Sequence, residues 1–211
     1  DIKANSSAAQ GGGVYLYGGI FLMGNGTIEG NSSSTDGGGV CIVNNGSFTM
    51  NNGDITGNGK STGTVVTQNG GGVYIDGGTL TVTSGNISSN ASNVNGGGVY
   101  IMNGTVMMGA GKILANSCGQ YGGGVYVYNS STTDKKTVTF NGGTLSGNSA
   151  KYGGGVCVNG LIDMSIGNVE IAENTATNGG GVCLMNNAFM EFGVGEIKNN
   201  TSVKKTSTVY D

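Results

Sequence analysis

The side chains able to do acid–base or nucleophilic chemistry are few and scattered. The chain carries 12 Asp and Glu, nine basic residues that are all Lys, four Cys and no His. Without His the commonest proton shuttle is missing. Glycoside hydrolysis needs two carboxylates held at a defined separation, but the seven Asp fall at unrelated places and no two are adjacent. One acidic pair does align: Glu170 and Glu196 each precede an Ile in the same local pattern, with Glu173 close by. Like charges in register repel. They either turn outward into solvent or invite a calcium ion. Solvation is the plainer expectation, and no metal or other cofactor is called for.

The thiols do not make a disulfide framework. Cys41, Cys157 and Cys183 follow Val40, Val156 and Val182, where Tyr stands after Val14, Val73, Val99 and Val125. Cys118 takes the place that Ala150 holds in the next unit. Neighbouring strands lie about 4.8 Å apart, wide for a bridge whose Cβ atoms prefer about 3.8 Å. Free thiols acting as small apolar side chains are expected.

What must position all of these is a repeat. Gly-Gly-Gly-Val followed by Tyr or Cys begins at Gly11-Gly12-Gly13-Val14-Tyr15-Leu16 and returns at Val40, Val73, Val99, Val125, Val156 and Val182, at spacings of 26, 33, 26, 26, 31 and 26 residues. A fixed period of this size marks a repeat architecture. The long spacings are insertions of seven residues near Gly59–Gln68 and five near Ser130–Lys136. Loops thrown out from a rigid scaffold are where binding residues gather, so both are candidate binding loops, against plain tolerated variation.

Each unit holds three short segments with apolar residues at every second position, which means strand. The first is Val73 and Ile75, Val99 and Ile101, and their equivalents. The second is Phe48 and Met50, Leu80 and Val82, Val106 and Met108, Val138 and Phe140. The third is one aliphatic: Ile28, Ile55, Ile87, Ile113, Leu145, Ile171 and Ile197. No helix-length pattern occurs. Three short strands per ~26 residues describe one coil of a three-sided parallel β-solenoid, and only stacking buries the apolar residues of such a coil. The expectation is an all-β, parallel β-helix of about 7.5 coils and roughly 35 Å, with residues 1–211 forming a single domain. The chain opens in mid-repeat and Val209-Tyr210 starts another unit, as expected of a segment of a longer surface protein.

Three residues after each third-strand aliphatic stands an Asn: Asn31, Asn58, Asn90, Asn116, Asn148, Asn174 and Asn200, with Asn5 after Ile2. Asn tolerates left-handed backbone and bonds its neighbours, so these should form an amide ladder along one corner. If the first-strand Val and aliphatic point inward, Tyr15, Tyr17, Tyr74, Tyr100, Met102, Tyr126, Tyr128 and Met185 point outward. Tyr has an apolar body and a polar tip. The expected result is a laterally sticky face large enough to mark an interface, against the alternative that stacked Tyr merely shield the sheet. Unpaired strand edges at the two ends invite a second mode, end-to-end stacking into a fibre.

Composition narrows the partners. Only 10% of residues are charged and the net charge is −3, which leaves no basic stripe for nucleic acid. No signal peptide, membrane-crossing run or lipidation motif is visible, so direct membrane insertion is not expected. Gly contributes 45 residues. Because Gly in regular structure costs about 0.5–1 kcal/mol, so many must meet a geometric demand.

The pairing of GGGV with [IL]-x-x-N resembles the GGAI and FxxN repeats of the polymorphic membrane proteins, the chlamydial autotransporter adhesins. It is also similar to the wider set of adhesin-like β-helix proteins of bacterial and archaeal surfaces. The resemblance spans Ile2 to Tyr210. It implies a right-handed helix in an extracellular, cell-surface protein that associates with itself or with a host or cell-surface ligand. Two departures stand out: Ile or Leu replaces the aromatic of FxxN, and no autotransporter barrel follows. The expected role is structural or adhesive, a stalk or fibre without enzymatic activity. The alternative is a carbohydrate-active β-helix enzyme. A site of the pectate-lyase kind resembles an Arg base beside Asp calcium ligands, and this chain has no Arg. An ice-binding solenoid needs a regular Thr array, whereas Leu22, Thr49, Thr81, Met107, Thr139, Ser165 and Glu191 are mixed.

Overall fold

A computed structural model describes residues 1–60 and 66–203. Every strand pairing among these residues is parallel, and the paired positions are the equivalent residues of successive units. Val73 pairs with Val99 and Val40, and Tyr74 with Tyr100 and Cys41. The chain is therefore a β-solenoid of about eight turns. The first strands, from Val14–Tyr17 to Val182–Met185, form one seven-stranded sheet. The second strands, such as Thr79–Val82, and the third, such as Asn86–Ser88, share a second sheet of 13 strands. In two later coils these two segments run together as Lys136–Ser146 and Ile162–Ala172. Beyond the three strands read from the sequence, a short fourth segment follows the Asn corner, as in Ser32–Ser33 and Ala91–Ser92.

The core is the set of inward columns. Val40, Ile42, Phe48, Met50 and Ile55 fill one coil, and Val73, Ile75, Leu80, Val82 and Ile87 the next, all essentially without exposure. Phe21 and Phe48 stack with ring centroids 5.1 Å apart and nearly parallel planes. Each fully buried side chain of this size contributes about 1.5–3 kcal/mol, and only its neighbours above and below keep it dry.

Gly96-Gly97-Gly98 shows why the glycine run recurs. Gly96 has φ +59, a left-handed backbone that side chains resist. A Cβ on Gly97 would lie 2.5 Å from the Gly123 carbonyl oxygen and closer still to that of Ser117, both backbone atoms of the next coil. A Cβ on Gly98 would meet the Asn116 amide at 3.0 Å. The glycine run and the corner Asn thus touch across the closed coil, which explains why they occur together.

The insertion after Asn58 includes residues 61–65, which lie outside the described residues. The chain returns as Thr67, fully buried, whose hydroxyl donates to the Ser33 carbonyl at 3.2 Å. Val209-Tyr210 also lies outside the described residues. No helix of the described chain is long and apolar enough to cross a membrane.

Candidate interaction surface

The corner Asn residues stack directly. Asn31 donates through its backbone N and its Nδ2 to Asn58 Oδ1 at 2.9 and 3.0 Å. Asn58 repeats the pair on Asn90, Asn90 on Asn116, Asn116 on Asn148, Asn148 on Asn174 and Asn174 on Asn200. Asn5 donates in the same way to Asn31. The second amide hydrogen closes on a third-strand carbonyl of the preceding coil, as from Asn116 to Ile87. Asn31 through Asn174 are at most 1% exposed. Their hydrogen-bonding capacity is thus consumed internally, and this corner offers nothing to a ligand.

The first-strand outer face differs from the expectation. Tyr15 and Tyr17 are exposed, at 49% and 67%, but Tyr74, Tyr100 and Tyr126 are only 6%, 7% and 4% exposed. They point away from the main core into a second one, with Cys41 and Cys157. The residues just before each glycine run build its wall: Asp36, Asn69, Asn95, Tyr121 and Tyr152 form a column of single parallel bridges. Tyr121 stacks on Tyr126 at 5.3 Å and on Tyr152 at 5.1 Å, while Tyr74 stacks on Tyr100 at 5.2 Å. Tyr74, Tyr100 and Tyr126 therefore do not form an open adhesive surface; burial raises their phenol pKa values, with nearby acids such as Asp36 adding for Tyr74 and Tyr100. What remains outside is the next outward column: Tyr17, exposed, then Val43, Asp76, Met102, Tyr128, Asn159 and Met185, half-buried, with Asp76 and Asn159 interrupting its apolar run.

The four thiols are free. Burial, reinforced by Asp36 and Asp76, pushes Cys41 up to about 12, and burial, partly offset by backbone hydrogen bonds, does the same for Cys118. Cys157 pairs in register with Cys183, and burial raises both thiols. These are poorly nucleophilic groups.

Glu170 and Glu196 do stand in register, at an open groove of about 470 Å³. The cation between them is Lys198, 3.0 Å from Glu170 Oε1 and 2.6 Å from Glu196 Oε2. Its two carboxylate partners hold its ammonium well above the usual lysine range. The repulsion that invited calcium is answered by the chain itself. Among the described residues, no three acidic, Cys or His side chains gather as a metal requires.

The second insertion lies between the first and second strands, as read from the sequence. It is tightly held. Asn129, 3% exposed, donates through Nδ2 to the carbonyls of Asp134 at 2.7 Å and Leu161 at 2.9 Å, and its Oδ1 accepts from the Ser131 N–H at 3.0 Å. The Ser131 hydroxyl accepts from the Asp134 N–H at 2.8 Å. Beside the loop opens a cleft of about 340 Å³ reaching Tyr128, Asn159 and the Asn186-Asn187 turn. Nothing in the repeat pattern singles out Asn159, Asn186 or Asn187. Tyr121 and Tyr152 were legible only as the residue before a glycine run.

No family model, curated protein or solved structure matches this chain.

Proposed function

We propose that this protein is a non-enzymatic structural and adhesive rod on a cell surface, presenting one lateral stripe to another copy or to a surface ligand. The carrying observation is the largely apolar column Tyr17, Val43, Met102, Tyr128 and Met185, in which Asp76 and Asn159 take two places. It lies outermost on a seven-stranded sheet whose inner and outer cores are otherwise closed. An apolar stripe on a stiff support presents its contacts already ordered, which lowers the entropy cost of association. The resemblance of the GGGV and [IL]-x-x-N repeats to surface adhesins supports an extracellular setting. The one acidic pair in register is engaged by Lys198, which weighs against the carbohydrate-active alternative. Sedimentation velocity of the 211-residue chain tests the stripe. The triple variant Tyr17→Ser, Met102→Ser, Met185→Ser should lose self-association and attachment to cell-wall-coated surfaces. Wild-type behaviour in both assays would defeat the proposal.

A further inference from the structure

We infer that the cleft under the 129–135 loop is a binding site for a neutral saccharide. The inference rests on the adhesive reading and gives it a ligand class. Chemistry selects the ligand. One wall is the half-buried ring of Tyr128, which stacks on Tyr126 at 6.1 Å and so is fixed in orientation. The rest is mainly amide and hydroxyl, from Asn159, Asn186, Asn187, Ser130 and Thr132, with Gly160 and Leu161 between them. A side-chain amide offers a donor beside an acceptor, the complement of two neighbouring sugar hydroxyls, while an aromatic ring accepts the apolar face of a pyranose.

The site is also neutral. The nearest charges are already neutralised: Lys136 pairs with Asp134 and Lys135 with Asp163, each at 2.5 Å. An ionic ligand would find no free counter-charge. The volume, about 340 Å³, sits at the lower end of ligand pockets, about 300–1,000 Å³, and suits one or two sugar rings. Asn159 is held by donating to the Tyr126 hydroxyl at 2.9 Å and accepting from Asn186 Nδ2 at 2.7 Å. Asn129 fixes the loop from beneath. The polar groups are thus set before any ligand arrives, as a specific site requires.

Saturation-transfer NMR and calorimetry with cellotriose, mannotriose and triacetylchitotriose, and with trigalacturonate as the charged comparator, test this on the whole chain. At least one neutral trisaccharide should bind more tightly than trigalacturonate. Tyr128→Ala and Asn187→Ala should each weaken it tenfold or more, while Ile20→Ala, exposed on a second strand outside both the cleft and the stripe, leaves it unchanged. Asn187 lies at a turn outside both cores at φ +66, where Gly is unstrained, so Asn187→Gly, expected to weaken binding as N187A does, keeps the test sound if Y128A unfolds or Ala strains the turn. No binding by any neutral sugar, preference for the uronate, or full affinity in N187A would each overturn the inference. The stripe variant of the preceding experiment spares Tyr128 and Asn187, so sugar binding and lateral association can fail separately.

Discussion

Replacing Asn116 by Ala should cost far more than its size suggests. Asn116 is 1% exposed and its side chain makes four hydrogen bonds: it accepts from Asn90 N and Nδ2, both at 3.0 Å, and donates to Ile87 O at 2.9 Å and Asn148 Oδ1 at 3.0 Å. Its own backbone N–H keeps its bond to Asn148. Truncation strands the Asn90 N–H and one Asn90 amide hydrogen in a buried corner, and takes one bond from the Ile87 carbonyl, which keeps its place in the strand ladder. A buried polar group left without a partner costs about 1–3 kcal/mol, so the two cost about 2–6 kcal/mol. Asn5→Ala removes only an exposed amide and its bond to Asn31, worth about 0.5–1.5 kcal/mol. Urea unfolding followed by far-ultraviolet circular dichroism reads both. Equal losses for the two variants would refute the idea that ladder burial sets the cost. Asn116→Asp sharpens the test. Its carboxylate would face the Ile87 and Asn148 oxygens, and burial beside acceptors raises an acid's pKa. The folded pKa then exceeds the unfolded value of about 3.9. The destabilisation at pH 7 should therefore shrink as pH falls through the folded pKa toward the unfolded one; a penalty that grows on acidification would contradict this.

Three further outcomes follow from the same packing. Gly97→Ala must push a methyl group into backbone of the next coil, whereas a Cβ added at Gly19 would meet nothing within 4 Å and the φ there is not positive; thermal melts should show a collapse for the first and no loss for Gly19→Ala, and comparable shifts would be inconsistent with interlocking coils. At pH 8 a thiol pushed to about 12, as Cys41 and Cys118 are, is thiolate in about one molecule in 10,000. Iodoacetamide with mass mapping should therefore label half-exposed Cys183 first and Cys41 only on unfolding, and early labelling of Cys41 would show the second core to be open. Lys198→Gln should lower the melting temperature modestly at low salt, and the difference should disappear near 1 M salt, where the screening length is about 3 Å; a salt-independent loss would mean that Lys198 acts through packing.

The solenoid was legible because its register is written in identity: Val over Val, Ile over Ile, Asn over Asn, at spacings that survive two insertions. A residue's direction from a strand also follows from alternation alone. Whether an outward residue meets water does not. Tyr100 points away from the main core as the alternation requires, yet it is closed over by neighbours along and beside its column. That cover depends on how the corner before each glycine run folds back, and this is a property of the backbone path. The fourth short segment and the neutral cleft escaped for the same reason. The segment depends on how the chain leaves each Asn corner, and the cleft arises where Asn129 ties one loop to Leu161 of the following coil, a contact with no counterpart elsewhere in the repeat. Lys198 was visible as a Lys two residues after Glu196, but the third-strand pairing with Ala172 is what carries its ammonium to Glu170.

Because each turn lies on an equivalent turn, the molecule has no privileged middle. Duplicating or deleting one 26-residue unit within the uninterrupted run that includes Val73, Val99 and Val125 leaves every remaining contact between like partners. Such an event in the gene changes reach by about 4.8 Å while preserving the cross-section. Length in a rod of this kind is thus open to selection separately from what the rod holds at its side.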